Sequence, residues 1–416
     1  KSAEENNVQV CLNLSVHYIP EWMYTLYPDM MGKSAEDVLV PQGTIKLHPA
    51  YKEMLKTYIE GIMEHFGDSP ALNSICLTNE PSNNANSTYY QGYWAQYLTQ
   101  IYNADINNLN KAYGTEYESF LDVPMQSTVS ETRQFYDYMQ FNDAIMVEFH
   151  TFMADCIKKI NPDVPVHAKV MGMGCWRDDP GRRAFLTYGT DYEKYAAFSD
   201  FGGNDACGYI QNTHWTLMDK MMNYDMLTGI KDAPCFNSED HIISDRDTNW
   251  TDKRYKKFVE TDQWQGALHG RGGSTVWTWG RTNDYSFDFM GLFLDRPDCV
   301  AAVGRTSLDI NRLGYEAEAI VKQEPKVALL YSQEARMWNS SYMNVMSTIY
   351  ENCLYNGQKV EFIPEGQMDR IHDYDVFIVP NALNVRDASF EEIKKYAENG
   401  GKLVVFGEDS LRADNL

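Results

Sequence analysis

Basic residues are scarce in this chain of 416 residues. Lys and Arg number 36 against 59 Asp and Glu, a formal net charge of −23. A phosphate backbone is repelled by such a surface, so nucleic acid is excluded as an expected partner. Long apolar runs are missing too: no stretch approaches the ~18 residues that a membrane span needs, so no membrane partner is expected. The opening residues KSAEENNVQV are polar and then strand-like, without signal-peptide character; a cytoplasmic and a periplasmic location both stay open. The eight cysteines (Cys11, Cys76, Cys156, Cys175, Cys207, Cys235, Cys299 and Cys353) form no C-x-x-C pair. Neither a zinc cluster nor a redox motif is expected from them. Several lie in apolar runs, where a free Cys acts as a small hydrophobe, and no disulfide framework is expected. What the chain has in plenty is rings: 28 Tyr, 18 Phe and 9 Trp. They suit a core, and they also suit stacking against sugar faces. With 44% hydrophobic and 23% charged residues the composition is globular, and the length calls for two or three domains.

Short strand-like runs alternate with helical stretches over the first 320 or so residues. The strand candidates are Val8–His17, Leu72–Glu80, Val164–Met171, Asp205–Tyr209, Ala233–Glu239 and Ser274–Trp279. Between the second and third, Tyr89–Tyr102 has apolar residues at helical spacing, and Gly114 is placed to close the helix after it. A long helix is predicted after Ser130 on the stripe Phe135, Tyr138, Met139, Ile145, Met146, Phe149, Phe152, Cys156 and Ile160, with Pro162 ending it. Such alternation implies a parallel sheet, open or closed into a barrel. Near Lys322-Gln-Glu-Pro325 the pattern changes. The runs KVALLY, KVEFI, DVFIVP and KLVVF, separated by helical stretches, predict a smaller doubly wound unit. It has neither G-x-G-x-x-G nor a P-loop, so interaction is expected of it rather than nucleotide binding. The chain thus divides into 1–322 and 323–416.

Strand parity carries the functional reading. In a barrel alternate residues face the interior, and active-site groups sit at the C-terminal strand ends. Glu80 is in phase with Thr78, Cys76 and Ser74. Glu239 is in phase with Asn237 and Cys235, with Phe236 then pointing outward. His167 shares a face with Lys169, Tyr209 with Cys207, Trp277 and Trp279 with Thr275, and His17 with Ser15, Asn13 and Cys11. A packed core needs none of these polar and aromatic strand ends; a sugar-binding crater uses them all. Two carboxylates in such a crater suit glycoside hydrolysis, one protonated to assist the leaving oxygen and one ionised. Set against this, a His at a strand end is more often a hydrogen-bonded structural group than a catalyst, a Trp more often core, and Asp240 or Asp245 competes with Glu239.

At these residues a family becomes recognisable. LTNEPS at 77–82 resembles the Asn-Glu-Pro signature after strand 4 of clan A glycoside hydrolases. NSED at 237–240 stands where that clan carries its second Glu, at the end of strand 7. The run 93–123 with its YGT, and CLNLSVHYIPEWMYTLYPDM at 11–30, are similar to segments of glycoside hydrolase family 42, the β-galactosidases. The tail from Lys326 resembles that family's trimerisation domain. The resemblance implies a (β/α)8 TIM barrel followed by a flavodoxin-like domain. It implies a retaining β-glycosidase, β-galactosidase-like, with Glu80 as acid/base and Glu239 as nucleophile about 5–5.5 Å apart. Asn79 would bind the 2-OH and Tyr209 would hydrogen-bond the nucleophile. His17, His167, Trp277 and Trp279 would contact a carbohydrate substrate. No cofactor or metal is implied, and a homotrimer is. Other sugars (β-mannosidase, β-glucosidase or endo-glucanase action) and a non-catalytic carbohydrate-binding role are the alternatives. The chain departs from the family in having SNNANSTYY, without Cys, where members carry a zinc-binding cluster. If Val8–His17 is strand 3, strands 1 and 2 are expected outside this sequence.

Overall fold

The computed structural model describes residues 1–412 except 18, 34–38, 45, 84–87, 173–181, 210–215, 245, 246, 248, 250 and 281–291. Asp245, Arg281, Cys175 and part of the 82–90 run lie outside the described residues. Six parallel strands form the larger sheet: β1 (Val10–Asn13), β4 (Leu72–Asn79), β5 (Val166–Val170), β6 (Gly203–Asn204), β7 (Cys235–His241) and β8 (Arg271–Trp277), hydrogen-bonded in that order. They make a partial TIM barrel. The short antiparallel pair β2 (Met31–Lys33) and β3 (Leu39–Thr44) is inserted after β1, and no strand was expected there. The four strands β9 (Val327–Tyr331), β10 (Val360–Pro364), β11 (Val376–Pro380) and β12 (Lys402–Phe406) form a second parallel sheet in the order β10-β9-β11-β12.

Local chemistry sets the helices between the strands. Pro49–Phe66 starts on a proline, and the His48 side chain accepts from Ala50 N as its cap. Its buried stripe is Tyr51, Leu55, Ile59 and Met63, one residue per turn. Arg133–Lys158 is capped by the Thr132 hydroxyl, and Gly114 closes Ile106–Tyr113 at φ +67°, a conformation glycine adopts without penalty. Both long helices pack on one face of the sheet. Leu14, Val16, Ile75, Leu77 and Val166 share a core with Tyr51, Leu55, Phe149 and Met153.

Simple alternation fails in the two strands that matter most. In β4 the register slips between Cys76 and Asn79, and the Thr78 hydroxyl pairs at 2.7 Å with His150 of the helix layer. In β7 the register slips between Asn237 and Asp240. Cys235 belongs to the helix-side core with Leu227 and Ile230, and Asn237 donates to Tyr224 of that layer. Phe236, expected outward, is therefore inside, its ring 5.5 Å from that of His167. A bulge adds one residue and reverses the faces beyond it. Glu80 and Glu239 reach the interior through these bulges.

The two sheets share one core. Ala168, Val170, Leu227 and Ile230 of the barrel unit cluster with Leu329, Phe362 and Ile363 of the second. Gly229 allows the close approach: a Cβ there would lie 3.0 Å from the Glu361 carboxylate and 3.1 Å from the Phe362 carbonyl. Arg370 donates across the seam to Gly229 O at 3.0 Å.

Candidate active site

Four strand ends converge. The Glu80 amide donates to Lys169 O at 2.9 Å, which ties the end of β4 to β5, and Glu80 itself sits at φ +45°. Asn79 is the register partner of Lys169. The Lys169 ammonium contacts the Glu239 carboxylate. Asp205, just beyond β6, accepts from the Gly172 amide and shares a hydrogen bond with Glu80. The stretch 205–209 was expected to be strand; β6 ends at Asn204, and this early exit is what frees Asp205 to turn inward.

The electrostatics follow from burial. Asp205 is pushed up to about 7, by desolvation first and then by the charge and hydrogen bond of Glu80. Two carboxyl groups in contact hold one proton between them more readily than none. Burial draws the Lys169 ammonium below its usual range, while Asp205 and Glu80 oppose this. Around Glu239 a relay forms: His241 Nε2 lies 3.1 Å from its carboxylate, and the Tyr209 hydroxyl lies 3.4 Å from His241 Nδ1. The Trp277 ring is 5.8 Å from that of His241, and the Trp277–Thr278 peptide bond is cis.

His17, Asn79 and Glu80 line one cleft of about 740 Å³ together with Lys46 and Tyr51. Burial first, then Lys46, keeps His17 below the usual imidazole range. The structure separates other expected site residues from this group. His167 lies within the sheet's interior below Lys169, fully buried against Phe201 at 4.6 Å and Phe236. Burial holds it neutral, with a pKa near 3. Trp279 does not share a strand with Trp277: β8 ends at Trp277, and Trp279 stacks on Phe293 at 6.2 Å with 42% of its surface exposed. Among the described residues, no group of three or more His, Cys, Asp or Glu is arranged to hold a metal ion. The seven described cysteines are free, and no described helix is long and apolar enough to cross a membrane.

With this arrangement in hand, comparison with known proteins is decisive. The Glyco_hydro_42 family, Beta-galactosidase, matches residues 1–290. The chain belongs to that family. The Beta-galactosidase trimerisation domain matches residues 318–407. Like this family member, Beta-galactosidase GalA of Bacillus licheniformis is similar along nearly the whole chain: 22% identity over 97% of the chain and 63% of that protein. Beta-galactosidase Pbg of Clostridium perfringens is 22% identical over 92% of the chain and 58% of its own length. The chain thus spans less than two thirds of these relatives. Among solved structures, an apo exo-carrageenase from Bacteroides ovatus superposes with a TM-score of 0.83 at 21% identity, covering 98% of this chain and 58% of that one. A β-galactosidase from Bacillus circulans sp. alkalophilus gives 0.81 at 18% identity, covering 100% and 63%.

Sequence reading missed two members of the site. Asp205 was absorbed into a strand, although an Asp opening an apolar run is a signal that the run has not yet begun. Lys46 follows a hairpin that was not foreseen, and nothing local marks it as interior.

Proposed function

We propose that this chain carries the catalytic centre of a retaining β-glycosidase, with β-galactosides as the first substrates to test. The supporting observation is the meeting of two strand-end carboxylates at Lys169: Glu239 in contact with its ammonium, Glu80 within its electrostatic reach. Glu239 attacks the anomeric carbon, and a glycosyl-enzyme forms as the leaving oxygen departs. Lys169 and His241 contact the Glu239 carboxylate and hold it in place for that attack. Glu80 supplies the proton to the leaving oxygen, and then takes one from the water that releases the sugar. Asp205 shares that proton in the resting site. Asn79 takes the 2-OH, and Trp277, His17 and Tyr209 complete the crater. Family membership alone does not fix the glycan, since one solved relative is named an exo-carrageenase. We further take 1–322 as the catalytic unit and 323–416 as the unit through which copies of the chain associate, as trimers; the trimerisation-domain match supports this.

Aryl β-galactosides and the full-length protein test the roles. Glu239→Ala should lose turnover, and azide should restore it through the opposite face of the sugar. Glu80→Ala should slow poor leaving groups at least about 100-fold while sparing activated ones, because only the former need protonation. Equal losses on both classes, with no azide rescue of Glu239→Ala, would remove this pair from the chemistry.

A further inference from the structure

Lys46 is the anomaly of the cleft. It is 7% exposed, and its backbone amide is fixed by a 2.9 Å hydrogen bond to the buried Tyr90 hydroxyl. Its ammonium stands 5.6 Å over the Phe149 ring, on the wall that it shares with His17, Asn79 and Glu80. Lys169, Lys220, Arg271 and Arg296 are comparably buried, and each meets a carboxylate. Lys46 meets none among the described residues, in a chain where 59 acidic residues face 36 basic ones. A buried ammonium without a counter-ion is costly to keep, and an aromatic face compensates only in part. The other charges of the site are already matched. Lys169 pairs with Glu239, and Glu80 shares a hydrogen bond with Asp205. That leaves Lys46 as the lysine lining this cleft that meets no carboxylate among the described residues.

We propose that this cleft takes a sugar bearing an anionic substituent, a sulfate ester or a carboxylate, and that Lys46 is the residue that recognises it. This rests on the glycosidase reading and narrows its substrate class. A bound oxyanion would give the ammonium the charge-assisted partner that the protein withholds. Burial lowers the Lys46 pKa to about 8, so the cation is present at neutral pH and lost above it.

The test is binding, which requires no turnover and is therefore separate from the catalytic roles. Full-length protein is titrated calorimetrically with galactose, galactose 4-sulfate, galactose 6-sulfate and galacturonate. At pH 6.5 at least one anionic sugar should bind about tenfold or more tighter than galactose. The sulfates and the uronate then identify which substituent fits. The preference should shrink at pH 9, fall to within about twofold in Lys46→Met, and persist in Lys46→Arg. If no anionic sugar binds more tightly than galactose, or if Lys46→Met keeps the preference, the proposal is wrong. Loss of turnover in the Glu239 variant alongside a flat binding panel would leave the glycosidase reading standing and overturn only this one.

Discussion

At the scale of single residues, the Asp205–Glu80 contact is the feature with the sharpest consequence. Asp205 is buried and Glu80 half-buried beside it, and Asp205 carries the raised pKa, to about 7. The pair holds a proton near neutrality that an isolated exposed carboxyl would have released. Asp205→Asn removes one negative charge and with it the carboxyl that holds the shared proton near neutrality. The alkaline limb of the kcat/KM profile should therefore move to lower pH by about 1–2 units, with a loss of about 10–100-fold at pH 7 on poor leaving groups. An unmoved limb would show that Asp205 only supports the loop through Gly172. The sequence made Glu80 legible because Asn, Glu and Pro stand together after a strand. It hid Asp205 because short strands read alike from both ends, and only the tertiary register tells where β6 stops.

At the scale of elements, the strands were legible and their faces were not. Five of the six large-sheet strands overlap the runs that predicted them, because burial on both sides writes itself as composition, while β6 (Gly203–Asn204) ends just before the run expected to form it. A bulge writes nothing: one slipped residue in β4 and one in β7 reversed the expected faces, and Phe236 exchanged sides with Cys235 and Asn237. What holds β7 in this form is a buried cluster on the helix side. Lys220 of the helix Leu217–Lys231 contacts Asp240 and, at 2.6 Å, Asp262; Arg271 of β8 reaches Asp240. Asp240, named as a rival to Glu239, is thus committed to this cluster, and its pKa is held low by Lys220 and Arg271 against the opposing effect of burial. Lys220→Met leaves two buried carboxylates with one cation. It should cost about 3–5 kcal/mol in denaturant unfolding, and the cost should be smaller at pH 4.5, where protonation relieves the excess charge. A loss below about 1 kcal/mol would mean that Arg271 alone sustains the cluster.

At the scale of the whole molecule, the two units behave as one because polar as well as apolar groups cross the seam. Lys194 donates to Asp143 at 2.8 Å, and Gln333 of the second unit reaches the same carboxylate at 3.4 Å. Arg386 joins Glu334 of its own unit to Glu193 of the barrel unit at 2.9 and 3.1 Å. The change of pattern near 322 marks the expected boundary between the units, whereas the seam was not legible, since its partners lie up to 194 positions apart, as in Gln140 to Glu334. Carboxylates outnumber cations here, and Asp143 responds: burial, reinforced by Asp191 and Glu334 and opposed by Lys194, raises it to about 7. Its unfolded value lies near 3.9. Between these limits the folded state holds a proton that the unfolded chain has released. The stability contributed by this group is therefore full below about pH 4, falls as pH rises toward 7, and is flat above. Asp143→Asn is neutral throughout, so it cannot lose that stability. The unfolding free energy of the variant relative to the parent should shift in the variant's favour by about 1–3 kcal/mol between pH 5 and pH 8. Urea titrations of both proteins at the two pH values measure it, read by fluorescence for both units together. Because the seam is shared, one cooperative transition should carry the whole shift. A pH-independent difference would mean that Asp143 is ionised across the range, and two separate transitions would mean that the seam does not couple the sheets.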